Sequence, residues 1–378
     1  MYDITFILPT YPFYPTGGYK VVYEYANNLV SRGYGVTVVH PRFLDNKIIT
    51  KNSNDNILSN LNHLIETKSP NYHILSNLIY WKDKYVRSPK INWQIVNDKV
   101  KIIYVKKLLS KNIPKADIIF ATAWETAEFV YKLPLSKGEK FYLIQGYEIW
   151  NNNEEQVNKT WKFPIKKVVI SNWLYEIGIN LGIPKNQIKH IPNGIDLTKF
   201  KIKENIENRP QKIAMLYHDD EWKGSKDGIE ALQIAKKEHT NLRAILFGII
   251  SRPKYLPKWI DYIQNPPQDE LVKDVYNGSS IYLCPSWTEG WHLPPAEAMA
   301  CGCAVVSTNI GGVGDYAING KTALLSPIKN ADLLAKNLIK LLDYDDHRIL
   351  LAKRGNSNIK NFTWNRATNS LVKFMDLY

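Results

Sequence analysis

The chain has 378 residues, 44% hydrophobic and 22% charged, a composition that excludes a largely disordered protein and provides for two domains, each with its own core. Its formal charge of +13 favours anionic partners, but no nucleic-acid-binding motif accompanies it. No apolar run reaches the roughly 18 residues of a membrane span, so a soluble folded chain is expected.

In chain order, residues 4–8 predict a buried strand ended by Pro9. A turn-rich loop follows, then a helix over 21–31 stopped by Gly33, and a second strand over 36–39. Gly17 and Gly18, in that first loop, lack Cβ atoms and let backbone approach a phosphate; the competing reading is a plain loop. Residues 41–100 are rich in Asn and Lys and show no clean period before a strand at 100–105. Within them, 75–87 mixes apolar, aromatic and basic side chains, either as an interfacial helix or as one packed on the domain with its lysines in water. Strands at 117–120 and 141–144 come next, the second running into Gln145-Gly146-Tyr147-Glu148, a polar and aromatic loop of the kind that binds ligands. A strand at 167–171 and a helix at 172–181 lead to Pro192-Asn193-Gly194, a turn by its own chemistry. The second half predicts a strand at 212–217, an amphipathic helix from 228, a strand at 243–247, an irregular stretch at 251–267 and a helix at 270–276. The glycine loop at 309–314 lacks the strand-first pattern of a dinucleotide site, and 332–342 is amphipathic.

Residues 285–306 read PSWTEGWHLPPAEAMACGCAVV and organise the second half. The apolar strand at 281–284 ends at Pro285, a loop carries Glu289, and Pro294-Pro295 open a helix closed by Gly302. This is a βαβ unit whose loop lies at the carboxyl end of a parallel strand, where open sheets bind ligands. The helix start attracts phosphate, whereas Glu289 and Glu297, eight positions apart, suit hydroxyls such as a ribose diol. Together they suggest a nucleotide sugar.

The E-x7-E spacing of Glu289 and Glu297 within EG-x-x-LPPAEAMACG resembles the retaining, GT-B-fold glycosyltransferases of family 4. The resemblance implies an α/β fold of two Rossmann-like domains facing across a cleft: 1–190 for the acceptor, 191–361 for the nucleotide sugar, and 362–378 as a terminal helix crossing back to the first. It implies that Glu297 holds the donor ribose and Glu289 faces the donor sugar. Lys223, with Gly17, Gly18 and backbone near His292 and Leu293, would meet the leaving diphosphate, and Asn193 would border the donor. GG-x-x-VVYE and PNGID also match. QGYE resembles a branch that includes rhamnosyltransferases, with Tyr147, Glu148 and Trp124 facing the acceptor. Two departures stand out: the family's histidine near the reacting sugar is absent from Ala121-Thr122-Ala123-Trp124, and Tyr217 or His218 occupies its arginine position. The implied reaction moves a hexose or deoxyhexose to a glycan or lipid-linked hydroxyl, with retention, without metal or cofactor, in cell-surface polysaccharide or glycolipid synthesis. A catalytically silent GT-B subunit binding a partner enzyme or glycan, and a sugar-nucleotide epimerase of the same fold, stay open.

Residues 1–190 carry 25 Lys and Arg against 15 Asp and Glu, and residues 191–378 carry 24 against 21, so the basic half is the first. Peripheral contact with an anionic membrane is one reading of it, a solvated surface the other. Cys284, Cys301 and Cys303 fit neither a disulfide framework nor zinc spacing and read as small buried residues of a reducing cytosol. The acidic clusters 219–221 and 343–346 read as solvated loops rather than metal cages. Without a leader pattern, the expected location is the cytoplasm, or peripherally the inner face of the membrane.

Overall fold

The computed structural model describes residues 1–12, 14–44, 91–149 and 153–378, so the helix expected at 75–87 lies outside them. Near-continuous apolar runs make strands buried on both faces, as parallel sheets require. Strands β1 (Asp3–Ile7), β2 (Gly35–Phe43), β3 (Lys101–Lys107), β4 (Ile118–Ala121), β5 (Glu139–Ile144), β6 (Lys166–Val169) and β7 (Ile188–His190) form a seven-stranded sheet in the order β3-β2-β1-β4-β5-β6-β7. Strands β8 (Lys212–Leu216), β9 (Arg243–Gly248), β10 (Ile260–Gln264), β11 (Ile281–Cys284), β12 (Ala304–Thr308) and β13 (Ala323–Ser326) form a second sheet, β10-β9-β8-β11-β12-β13. In each, strand order reverses beside the first strand. The parallel pairs β1–β4 and β8–β11 mark these switch points, where loops part and leave room for a ligand.

Two compact units result: residues 1–168, 178–189 and 374–378, and residues 169–177 with 190–373. Helices α1 (Gly17–Val30), α2 (Trp124–Lys132) and α3 (Glu154–Trp161) belong to the first, while α4 (Asn172–Asn180) is divided between them. The second contains α5 (Ser225–Glu238), α6 (Leu293–Ala300), α7 (Ala331–Asp343), α8 (Asp345–Ile359) and most of α9 (Trp364–Met375). The first core stacks Phe6 on Phe120 at 4.9 Å and Phe120 on Phe141 at 5.0 Å, and Phe374 meets Phe141 edge-on at 5.9 Å. In the second core, Met215, Leu246, Leu283 and Val306 of the sheet pack with Leu232 of α5 and Leu338 of α7.

Three expectations are corrected. Helix α1 begins at Gly17 rather than at 21, so the glycine pair is its first turn and not a loop. Tyr19 is the reason: its hydroxyl bonds both the N–H and the carbonyl of Thr10, at 2.9 and 3.0 Å, and draws that turn onto the end of β1. The irregular stretch at 251–267 contains β10, which among the described residues is an edge strand paired only with β9, concealed by its flanking prolines. Asp345 starts α8 instead of lying in a loop; an acidic first turn favours the helix dipole, and its Oδ1 accepts from the buried Arg348 at 2.9 and 3.1 Å.

His40, at 0% exposure, has Nε2 3.1 Å from the Tyr23 hydroxyl and Nδ1 3.0 Å from the Thr10 carbonyl. Burial lowers its pKa to about 4. The unfolded chain takes up this proton near the ordinary 6.5 and the folded one only near 4, so stability falls as pH drops through that window. The loss should reach roughly 3 kcal/mol, read as a Tm decline between pH 7 and 4 that His40→Gln makes shallower.

Candidate active site

Two loops meet at the switch point of the second sheet. After β8 the chain passes Tyr217 and His218 and makes a single turn over Glu221–Lys223, and Gly224 caps α5 at φ 62°, ψ 21°. A Cβ at Gly224 would stand 2.0 Å from the Pro285 carbonyl oxygen, so only glycine lets this loop lie against the one after β11. The two are tied by the Trp287 N–H donating to the Trp222 carbonyl at 2.7 Å, and by Trp287 Nε1 donating to Asp227 at 2.7 Å.

The loop after β11 is equally constrained. A Cβ on Gly312 would lie 2.4 Å from the Gly290 carbonyl, so glycine there allows the Glu289-Gly290 backbone to settle on the turn after β12. Trp291, 1% exposed, packs 4.8 Å from Tyr316 and 5.8 Å from Phe362. His292 caps α6 at φ 63°, ψ 89°, the left-handed region that L residues rarely adopt. Its carbonyl accepts from the Tyr316 hydroxyl at 2.9 Å.

These constraints bring Lys223 Nζ to 2.8 and 3.0 Å from the two oxygens of Glu289, a pair whose side chains are 23% and 11% exposed. His292 Nε2 stands 3.4 Å from Glu289 Oε1, and its Nδ1 stands 3.0 Å from Cys284 Sγ. Burial acts to raise the Glu289 carboxyl, but His292 and Lys223 outweigh it and hold it below the usual range. Burial pushes the His292 imidazole down, yet Cys284 and Glu289 outweigh that and raise it. Burial likewise acts to raise the Cys284 thiol, and His292 turns the balance downward. Glu297, 4% exposed on α6, accepts from the Tyr276 hydroxyl at 3.2 Å; Tyr276 closes the π-helical turn Leu271–Tyr276.

The helix start offers less than its sequence suggests. Pro294 and Pro295 follow Leu293, so of its first three residues only Leu293 keeps an N–H for an anion. The arginine substitutes are occupied nearby: the Tyr217 hydroxyl donates to Asp219 at 2.8 Å and lies 2.6 Å from that of Tyr255, while His218 Nδ1 accepts from the Asp220 N–H at 3.0 Å. Lys223 is therefore the lysine that this loop brings to Glu289. An open groove of about 530 Å³ is lined by Trp173, Trp287, Thr288 and Asn309 among others, with Lys329 Nζ 4.1 Å from the centre of the Trp287 ring.

The other expected site residues are placed as follows. Asn193 is 2% exposed, and its Oδ1 has no hydrogen-bond partner. In the first unit, Gln145 Nε2 donates to the Gly18 carbonyl at 3.1 Å, joining the glycine pair to the QGYE loop. Glu148 Oε2 accepts from the Trp124 N–H at 3.1 Å and so serves the first turn of α2. The Tyr147 hydroxyl donates to Asn158 at 2.8 Å. Sequence reasoning missed Cys284, Tyr276 and Tyr316 as parts of the site; each reads as an ordinary core residue in its own segment.

A family model described as glycosyl transferases group 1 matches residues 196–358. The chain is similar to the D-inositol 3-phosphate glycosyltransferase of Rhodococcus jostii, 30% identical over 126 residues, which are 33% of this chain and 26% of that protein. It is similar also to O-antigen chain mannosyltransferase B of Escherichia coli, 28% identical over 114 residues, 30% of this chain and 29% of that one. It thus spans little more than a quarter of the length of these curated relatives. Among solved structures, sucrose-phosphate synthase from Thermosynechococcus elongatus superposes with a TM-score of 0.69 at 16% identity, covering 99% of this chain and 98% of that one. HepE of Anabaena, solved in complex with UDP-glucose, superposes at 0.68 with 14% identity, covering 100% of both chains. The chain thus has the GT-B fold, and its residues 196–358 match the model of the glycosyl transferases group 1.

Proposed function

We propose that this protein is a retaining glycosyltransferase of family 4 that moves a hexose or deoxyhexose from a nucleotide-diphosphate sugar to a hydroxyl of a glycan or lipid-linked acceptor. The observation that carries the reading is the Lys223–Glu289–His292 cluster at the switch point of the second sheet, with Glu297 buried on the helix that follows. Glu297 takes the ribose diol, Glu289 the hydroxyls of the transferred sugar, and Lys223 with the Leu293 N–H the charge growing on the departing diphosphate. Asn193 completes the donor contacts within the second unit, and within the first unit Tyr147, Glu148 and Trp124 recognise the acceptor. Catalysis is then positioning plus stabilisation of leaving-group charge, with no protein nucleophile and no metal or cofactor in the scheme. The D-inositol 3-phosphate glycosyltransferase and O-antigen mannosyltransferase relatives favour a role in cell-surface glycan or glycolipid synthesis. No helix among the described residues is long and apolar enough to cross a membrane.

A thermal-shift panel of UDP-, GDP- and dTDP-sugars with their free nucleotides tests this. One base should stabilise selectively, by about 2.7 kcal/mol at 100 times Kd. Glu297→Ala should weaken that nucleotide by about 1.5 to 3 kcal/mol, while Glu148→Ala leaves it unchanged. Equal affinity in wild type and Glu297→Ala would refute the ribose assignment. The occupied Tyr217 and His218 favour one second reading, a donor-binding subunit without turnover; binding with no transfer to any acceptor would establish it.

A further inference from the structure

Behind the Lys223–Glu289 pair lies a group whose bonding is incomplete. His292 combines a strained left-handed backbone with a side chain 5% exposed. Its Nδ1 faces Cys284 Sγ at 3.0 Å, but its buried Nε2 makes no hydrogen bond although Glu289 Oε1 is only 3.4 Å away. Strain and an unpaired buried nitrogen on one residue, in the middle of a candidate site, need a compensating role. The oxygen it faces is occupied: Lys223 Nζ spans both oxygens of Glu289. A lysine so engaged is not free to serve a diphosphate. On the function proposed above, on which this inference rests, Lys223 must turn to the leaving group, and Glu289 would then stay buried without its cation.

We propose that His292 is a positioning residue held in reserve: when a diphosphate draws Lys223 away, His292 Nε2 closes the 3.4 Å gap and donates to Glu289, with Cys284 steadying the ring from behind. Glu289 thereby remains an ionised carboxylate aimed at the sugar throughout the reaction. No covalent bond changes; one N–H···O contact replaces another. The neighbouring charges allow it. Among the described residues, the cations acting on Glu289 are His292 and Lys223. Tyr282 and Tyr316 are kept neutral by burial, which pushes both phenols far up. Asp315 is engaged by His190 Nε2 at 2.9 Å and the Asn172 N–H at 3.0 Å. Cys284 and Glu289 favour the protonated imidazole that the exchange needs.

The exchange separates two pH profiles. In the free enzyme Lys223 still covers Glu289, so His292→Gly, which suits the left-handed backbone, should move the acid limb of kcat/KM up only by the part of the charge balance that His292 supplies there. In the donor complex the variant has no second cation, and the acid limb of kcat should move up by roughly one pH unit or more. His292→Gln, which returns an N–H at a similar reach, should recover part of that shift. Independently, imidazole 15N spectra of the full chain should show the His292 Nε2 signal moving when UDP, GDP, dTDP or inorganic pyrophosphate binds. An unshifted kcat limb in His292→Gly, or an unmoved signal while a nucleotide stabilises the protein, overturns the exchange and leaves the glycosyltransferase reading standing. If none of the four probes binds, both fall.

Discussion

Replacing Lys223 by methionine should lower the transfer rate by about 100- to 1000-fold, the usual effect of deleting one group that stabilises developing negative charge. The size follows from what surrounds it. Proline at the second and third positions of α6 leaves the Leu293 N–H alone among the first three, and Tyr217 and His218 already have partners in their own loop. Methionine keeps most of the aliphatic stem and removes the charge, so the fold should persist. The pH dependence has a definite sign. Lys223 is one of the two cations that hold the Glu289 carboxyl low against burial. Without it the carboxyl rises, so activity should be lost at higher pH on acidification than in wild type, in kcat/KM as well as in kcat. That separates this variant from His292→Gly, whose shift should be larger in kcat than in kcat/KM. Initial rates between pH 4 and 8 check it, and a variant that matches wild type in both rate and profile would remove Lys223 from the site.

What could be read in advance is divided by how each feature is encoded. Glu289 and Glu297 stood out because a strand ended by Pro285 and a helix opened by two prolines frame them, whereas Lys223 rested on the family resemblance alone; the structure pairs Lys223 with Glu289. The order of strands and the two switch points are not local and emerged only with the pairing. Cys284 could not be foreseen. It ends an all-apolar strand, and its approach to His292 depends on a left-handed backbone at a residue other than glycine, which composition does not signal. Glu148 was found as a polar residue on a binding loop, but its bond to the first turn of α2 comes from a segment 24 positions away. Strand β10 was missed because an edge strand needs pairing on one side only and tolerates prolines around it.

Gly224→Ala should have the largest effect on stability, roughly 2 to 5 kcal/mol, made up of about 1 to 2 for an L residue in the left-handed region and about 1 to 3 for overpacking. The clash cannot be relieved by turning a side chain, because the new methyl would meet the Pro285 carbonyl oxygen at 2.0 Å and its carbon at 2.8 Å. One of the two loops must withdraw, and with it either Lys223 or Glu289. Strain and clash can be told apart at Gly320, which also has a positive φ, 72°, but would meet nothing within 4 Å. Gly320→Ala should therefore cost only the conformational part, about 1 to 2 kcal/mol. Nucleotide binding gives the functional comparison: the Gly320 variant should keep the wild-type thermal shift, while the Gly224 variant should lose most of it, since Lys223 no longer sits where a diphosphate needs it. Equal melting temperatures for the two variants would mean that the loops after β8 and β11 do not meet as closely as the Lys223–Glu289 pair requires.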